Sequence, residues 1–204
     1  MIILFGASGH AKPVLDIFFQ NGEKVVHILD DNPKVTEIFG VEVVKNNFDL
    51  DYNQNAVISI GKNSIRKKIA KELPFNYIKA VHPKSSVSEL AQIGKGTVVM
   101  ANVSVNPDAL IGEHCILNTG CVIEHDCKID DFVHISPNAS LAGNVSVGEG
   151  THIGIGASVI QGINIGKWAT VGAGAVIIND VPDFATVVGN PGKIIKIKTE
   201  ENEL

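Results

Sequence analysis

The chain has 204 residues, room for one large or two small domains, and 45% of them are hydrophobic, so a packed core is expected and disorder is not. Seventeen basic against 22 acidic residues leave a net charge of −5, which weighs against a nucleic-acid partner, because phosphate binding draws on basic patches. No apolar window is long enough for a membrane helix, and the opening MIILFGASGH reads as a first strand with no secretory pattern, so a cytoplasmic protein with no membrane partner is expected.

Residues 1–80 read as a small α/β unit. MIILFG is a strand, GASGHAK a glycine-rich turn, and PVLDIFFQNG a helix with Pro13 in its first turn and Gly22 beyond its end. KVVHILDD is a second strand, FGVEVV a short one and NAVISIG another; NSIRKKIAKEL is a helix whose cap is Asn63 or Ser64. Strand and helix alternate, so the sheet should be mostly parallel. The turn Gly6-Ala7-Ser8-Gly9 joins strand to helix, where backbone N–H groups and a missing side chain suit an anion. It lacks the second glycine of a dinucleotide fingerprint, and a tight turn without a ligand is the competing reading. Asp30 and Asp31 end the second strand, where an acid can accept from a ribose or a base, and Gly61, Asn63 and Arg66 start the second strand-to-helix turn on the same sheet edge. Arg66 is the single arginine of the chain, and beside a glycine turn it is expected to contact a ligand, a merely solvated side chain being the plain alternative.

From residue 81 the pattern changes. Every sixth residue from Ile93 to Ile177 is Ile, Leu or Val, and the positions two before them are mostly small. Two inward side chains per hexapeptide followed by a turn fit a parallel β-helix of three faces, about 18 residues per coil and about five coils, stacked at ~4.8 Å. Glycines at 94, 112, 148, 154, 166 and 172, just after the aliphatic, occupy places where a side chain would clash. Cys115, Cys121 and Cys127 are spaced like metal ligands, but all three take the small inward position and read as core.

The repeat carries one anomaly, IEHDCKIDDFVHIS at 123–136. Ile123 is inward, so Glu124, His125 and Asp126 fall in a turn and face out. An acid beside His125 can hold one ring N–H and leave the other nitrogen basic; a merely solvated histidine is the plain alternative. His134 and His152 lie 18 apart and should stack on one face. A zinc centre needs three converging histidines, and His125 sits at another corner, so no metal is expected.

The layout LFGASGHAK, LDD, SIGKNSIRKKI, HPKSSVS, ILNTGCVIEHDCKI and GNPGK resembles the UDP-4-amino-sugar N-acetyltransferases of bacterial glycan synthesis. The related sialic acid O-acetyltransferases and GDP-perosamine N-acetyltransferases share it. The resemblance implies a Rossmann-like domain, residues 1–80, that binds a nucleotide sugar, and a left-handed parallel β-helix with a C-terminal tail, residues 81–204. It implies a homotrimer with acetyl-CoA as co-substrate between neighbouring β-helices. The residue matches are His125 as catalytic base and Asp126, where many relatives carry Glu, as its partner, with Glu124 as the alternative partner. His134 matches the acetyl-binding histidine. Gly143, Ile155 and Ala173 match the CoA lining, with glycine common at the last. Gly9, His10, Asp30, Asp31, Gly61 and Arg66 match the nucleotide-binding turns. The chemistry implied is direct acetyl transfer to the sugar amine, with a backbone N–H such as that of Gly143 steadying the oxyanion. O-acetylation, or nucleotide-sugar binding without catalysis, are the rival functions.

Overall fold

The computed structural model describes residues 1–46 and 52–199, so the last five residues of the tail lie outside it. The N-terminal unit holds β1 (Ile2–Phe5), α1 (Ala11–Gln20), β2 (Val25–Asp30), β3 (Glu37–Ile38), β4 (Val41–Lys45), β5 (Asn55–Ile58), α2 (Asn63–Glu72) and β6 (Asn76–Tyr77). The sheet order is β3-β4-β2-β1-β5-β6, parallel throughout except for the β3–β4 hairpin. All four residues of β1 are buried, as befits a central parallel strand covered on both faces. α1 buries Ala11, Val14, Leu15, Ile17 and Phe18, one helical stripe. Gly22, at φ 70°, ends it: Gly22 N–H reaches Phe19 O and Glu23 N–H reaches Phe18 O, a Schellman closure. Strands β3 and β6 were not expected, since two residues carry no periodicity. The turn between β3 and β4 places Phe39 and Gly40 at φ 51° and 78°, the twist that suits a tight hairpin.

From Ala80 the chain winds as a parallel β-helix of two-residue rungs. Face one starts with Ala80–Val81, face two with Ser86–Val87 and face three with Gln92–Ile93. Each rung pairs with the one 18 residues on, for example Ile116 with His134 and His134 with His152. Face one is extended by Ala185–Val188 and closed by the antiparallel Lys193–Ile197. Beyond the first coil, where Val81, Val87, Ala91 and Ile93 are partly exposed, the inward positions are sealed. Cys115, Cys121 and Cys127 are each 0% exposed, and burial pushes the thiols of Cys115 and Cys121 up to about 12, so they act as small core residues.

The six-residue period has a backbone cause. Every sixth residue from Gly96 to Gly174 has a positive φ, one left-handed residue per corner. The glycines at 94 and 154 answer a different demand. Neither has positive φ, but a Cβ on Gly94 would lie 2.5 Å from Gly112 O, and one on Gly154 would lie 2.6 Å from Val171 O. Stacked coils approach too closely there for any side chain. The α1 side of the sheet shares one buried cluster with the β-helix, joining Val14 and Phe18 to Ala80, Val98 and Met100; the α2 side has its own.

Candidate active site

His125 and Asp126 form the turn between the rungs Val122–Ile123 of face two and Lys128–Ile129 of face three. Asp126 takes the left-handed corner position at φ 62°, a conformation Asp and Asn tolerate better than most residues. This turns its carboxylate back onto the neighbouring ring: Asp126 Oδ2 lies 2.7 Å from His125 Nδ1. A carboxylate only accepts, so Nδ1 donates and Nε2 keeps its lone pair. The Asp126 hydrogen bond, helped by the charges of Asp126 and Glu124, raises the pKa of His125 above its ordinary value. Glu124 does not reach the ring; its Oε2 accepts only the His125 backbone N–H, at 3.4 Å. The imidazole lies over Gly143, one coil on. A Cβ there would come within 2.6 Å of His125 Cε1 and 2.7 Å of Nε2, so glycine makes room for the ring.

His134 sits elsewhere, outward on face one. Its ring stacks on that of His152 at 4.9 Å, as the 18-residue spacing predicts, and lies 6.2 Å from that of His10. Asn118 Oδ1 accepts the Thr119 N–H at 2.8 Å, which turns Asn118 Nδ2 toward His134 Nε2 at 3.1 Å. Nε2 therefore accepts, and the Gly61 backbone beside the ring favours its protonated form. Burial, then the charges of His152, Arg66 and His10, push the pKa of His134 down to about 3, so the ring is neutral. His10 is held neutral in the same way, burial and Arg66 lowering it to about 4, and its Nε2 is buried with no hydrogen-bond partner. His152 Nε2 lies 2.7 Å from Ser136 Oγ. Asn118 and Ser136 went unnoticed in the sequence, because polar residues are common at corners. Among the described residues no three His, Cys, Asp or Glu side chains are grouped so as to hold a metal ion.

The glycine-rich turn opens into a cleft of about 410 Å³ lined by Ala7, Ser8, Gly9, Lys12 and the β3–β4 hairpin with Phe39. Gly9 has no positive φ, and a Cβ on it would meet no atom within 4 Å; neither the backbone nor a neighbour requires glycine there, which leaves the cleft itself. Asp30 braces the turn: Oδ2 accepts the Ala7 N–H and Oδ1 the Asn32 N–H, both at 2.8 Å. Asp31 is exposed and holds Asn46 Nδ2 at 2.9 Å.

Two expectations fail at the second turn. Arg66 is 1% exposed, and its five N–H groups are all engaged, by the carbonyls of Ile60, Gly61, His114 and Phe132 and by Asn63 Oδ1. It faces the β-helix and has no donor left for a nucleotide. Asn63 caps nothing: α2 starts from Lys62 without a side-chain cap, and Asn63 Nδ2 reaches Gly150 O and Thr151 O. Gly61 lies beside a smaller cleft between α2 and the β-helix that also touches His152 and Trp168.

The positions expected to line CoA also divide within one chain. Gly143 shares the corner of His125, whereas Ile155, 54% exposed, and Ala173 stack at the corner between faces one and two. Face two spans the distance between the two corners. No helix among the described residues is long and apolar enough to cross a membrane.

Comparison with known proteins matches this architecture part by part. Residues 1–73 match the PglD N-terminal domain, and residues 91–125 match the bacterial transferase hexapeptide, six repeats. The UDP-N-acetylbacillosamine N-acetyltransferase of Bacillus subtilis is 42% identical over 111 residues, 49% of this chain and 51% of that protein. A protein of Acanthamoeba polyphaga mimivirus is 33% identical over 24% of its own length, so the chain spans about half or less of the curated relatives it matches. Solved structures match along the whole chain. Perosamine N-acetyltransferase from Caulobacter crescentus, in complex with CoA and GDP-perosamine, superposes with a TM-score of 0.90 at 37% identity, covering 96% of both chains. The acetyltransferase domain of PglB from Neisseria gonorrhoeae gives 0.89 at 36% identity, covering 95% of this chain and 98% of that one. With a PglD-type domain set on a hexapeptide β-helix and that likeness end to end, the chain belongs to the family of nucleotide-sugar N-acetyltransferases.

Proposed function

We propose that this protein transfers the acetyl group of acetyl-CoA to the amine of a nucleotide-linked amino sugar, a UDP-4-amino-4,6-dideoxy sugar, for bacterial surface glycan synthesis, and that it does so in the cytoplasm. The observation that carries this reading is the His125–Asp126 pair: a 2.7 Å bond at Nδ1 and a basic, solvent-facing Nε2 above a glycine. The sugar nitrogen attacks the thioester carbon. His125 Nε2 takes the proton that nitrogen loses and returns it to the departing CoA sulfur, which leaves as the thiol. The tetrahedral oxygen is steadied by a backbone N–H, for which Gly143, directly beneath the ring, is well placed. No acyl-enzyme is needed, and the buried cysteines cannot supply one. His134, held neutral next to Asn118, is the ring placed beside the acetyl group, and the cleft at Gly9 with Phe39 at its rim suits the nucleotide.

Because His125 and His134 stand on different parts of the prism, the complete site needs a neighbouring chain, and the working form is a homotrimer. Face two supports this: its outward residues, Ser86, Ser104, Val122, Ser140, Ser158 and Val176, carry no charge, so a second copy can approach closely. Sedimentation equilibrium at micromolar concentration should give three times the 21.7 kDa of one chain; a monomer counts against a shared site. The function itself is tested with a panel of UDP-, GDP- and dTDP-linked amino sugars and acetyl-CoA, following free thiol. Turnover of a UDP-4-amino sugar above the others is expected. Preference for GDP-perosamine moves the assignment to the perosamine branch, and thiol release with none of the panel sinks the reading.

A further inference from the structure

We propose that Arg66 is a positioning residue: it locks the nucleotide-binding domain onto the β-helix and thereby fixes where the acceptor amine lies relative to His134. The inference rests on the function proposed above.

The lock is built from backbone. Arg66 Nε donates to His114 O at 2.7 Å and Nη2 to Phe132 O at 2.8 Å, two carbonyls one coil apart. Asn63 Nδ2 donates to Gly150 O at 2.9 Å, the next rung of the same ladder. His114, Phe132, Gly150 and Trp168 are the left-handed corner residues of four successive coils, and two of them, Phe132 and Trp168 at φ 60° and 54°, are bulky side chains that are outliers there. They face the N-terminal domain: Tyr77 meets the edge of His114 at 4.5 Å, and Lys67 sits 5.2 Å over Trp168 while pairing with Glu149. On its other side Arg66 Nη1 holds Ile60 O at 3.0 Å and Gly61 O at 3.3 Å, and Nη2 holds Asn63 Oδ1 at 2.9 Å. The His134 ring lies against the same domain, 6.2 Å from the ring of His10, where the Gly61 backbone acts on it electrostatically. One buried guanidinium thus joins the second strand-to-helix turn of the N-terminal domain, two coils and, through that turn, the surroundings of the histidine proposed to meet the acetyl group. A nucleotide sugar held in the first domain presents its amine at a distance set by this docking, and a displacement of about 1 Å can cost ~10²-fold in rate.

The test compares Arg66→Lys and Asn63→Ala with wild type in the full chain. Lysine offers one ammonium where five fixed donors stood. Arg66→Lys should lower kcat by roughly 10- to 100-fold, while calorimetric Kd values for UDP and GDP stay within about threefold, because nucleotide contacts lie in the other turn. Histidine side-chain ¹⁵N spectra should show His134 leaving its single neutral tautomer while the His125 signals stay in place. Asn63→Ala should move both readouts the same way by less, and it serves as the test if Arg66→Lys does not fold. Nucleotide affinity falling in step with kcat would overturn the proposal, since Arg66 would then act on the nucleotide. Unchanged kcat and unchanged His134 signals would overturn it equally. If wild type neither binds nucleotide nor transfers acetyl, the functional reading fails, and the His134 signals still decide whether the lock acts on that ring.

Discussion

His125 and His134 are nine residues apart and live in opposite surroundings. His125 stands in solvent at a corner, bonded to a carboxylate that raises its pKa. His134 lies under the N-terminal domain, stacked on another imidazole near a buried guanidinium, its pKa lowered to about 3. The same side chain is made a base in one place and a fixed neutral dipole in the other. The difference comes from what each rung faces: a free corner takes an acid neighbour at the next position, whereas a covered face removes water and forbids charge. Two histidines pushed apart in this way can hold distinct tasks, proton transfer for one and ligand orientation for the other.

Removing the base should give the largest effect. His125→Ala is expected to lower kcat by roughly 10²- to 10⁴-fold, with little change in KM for acetyl-CoA. The unfolding midpoint should not move, because the ring fills no cavity. Ile123→Ala, two residues earlier, should do the reverse. Its side chain is 0% exposed, so truncation costs about 2–5 kcal/mol of stability by denaturant titration, while the folded fraction stays active. Near wild-type turnover in His125→Ala, with loss in Glu124→Ala or His134→Ala, would place the base elsewhere.

The buried histidines should show in stability before they show in rate. His10, His134, His114 and His152 all have pKa values below the unfolded value of 6.5, the first three at about 4, 3 and 4. Below pH 6.5 the unfolded chain takes up protons that the folded chain refuses, so stability falls as pH drops from about 6.5 toward 4. His134→Asn removes one of these sites and should flatten that slope, while raising KM for acetyl-CoA about tenfold through loss of the ring that lines the acetyl site. A urea midpoint that holds steady from pH 7 to 5 in wild type would mean that water reaches these rings and that the contrast with His125 is smaller than drawn.

The β-helix was legible because its determinants are local. Each inward residue answers to a rung one hexapeptide away, so Ile123, Cys121 and Cys127 declare their burial by period alone. The His134–His152 stack follows from their spacing of 18. Asp126 as the partner of His125 was one of two candidates; what separates it from Glu124 is the left-handed φ, which composition does not reveal. Arg66 was misjudged for a related reason. A lone arginine beside a glycine turn looks the same whether it awaits a phosphate or a carbonyl. Its partners are the main-chain oxygens of residues 48 and 66 positions further on, which carry no side-chain signature. The unpartnered Nε2 of His10 likewise emerges only when the two domains are brought together.

Asp126→Asn tests the smaller half of the contrast, the part of His125's basicity that comes from charge and not from geometry. Asparagine is tolerated at φ 62°, so the corner should keep its shape, and its side-chain oxygen can still accept the Nδ1 proton. What disappears is the negative charge that favours the imidazolium. The pKa of His125 should fall back toward 6.5, and the acidic limb of the kcat/KM profile, which in wild type lies above that value, should shift down with it. At pH 7 more of the enzyme is then unprotonated, but each ring is a weaker base. The two changes oppose each other, and a net loss of only about 3- to 10-fold is expected, with the variant closest to wild type at the acid end of the profile. A loss as large as that of His125→Ala, with the limb unmoved, would show that Asp126 serves by holding the ring in place, and that the raised basicity of His125 is incidental to the reaction.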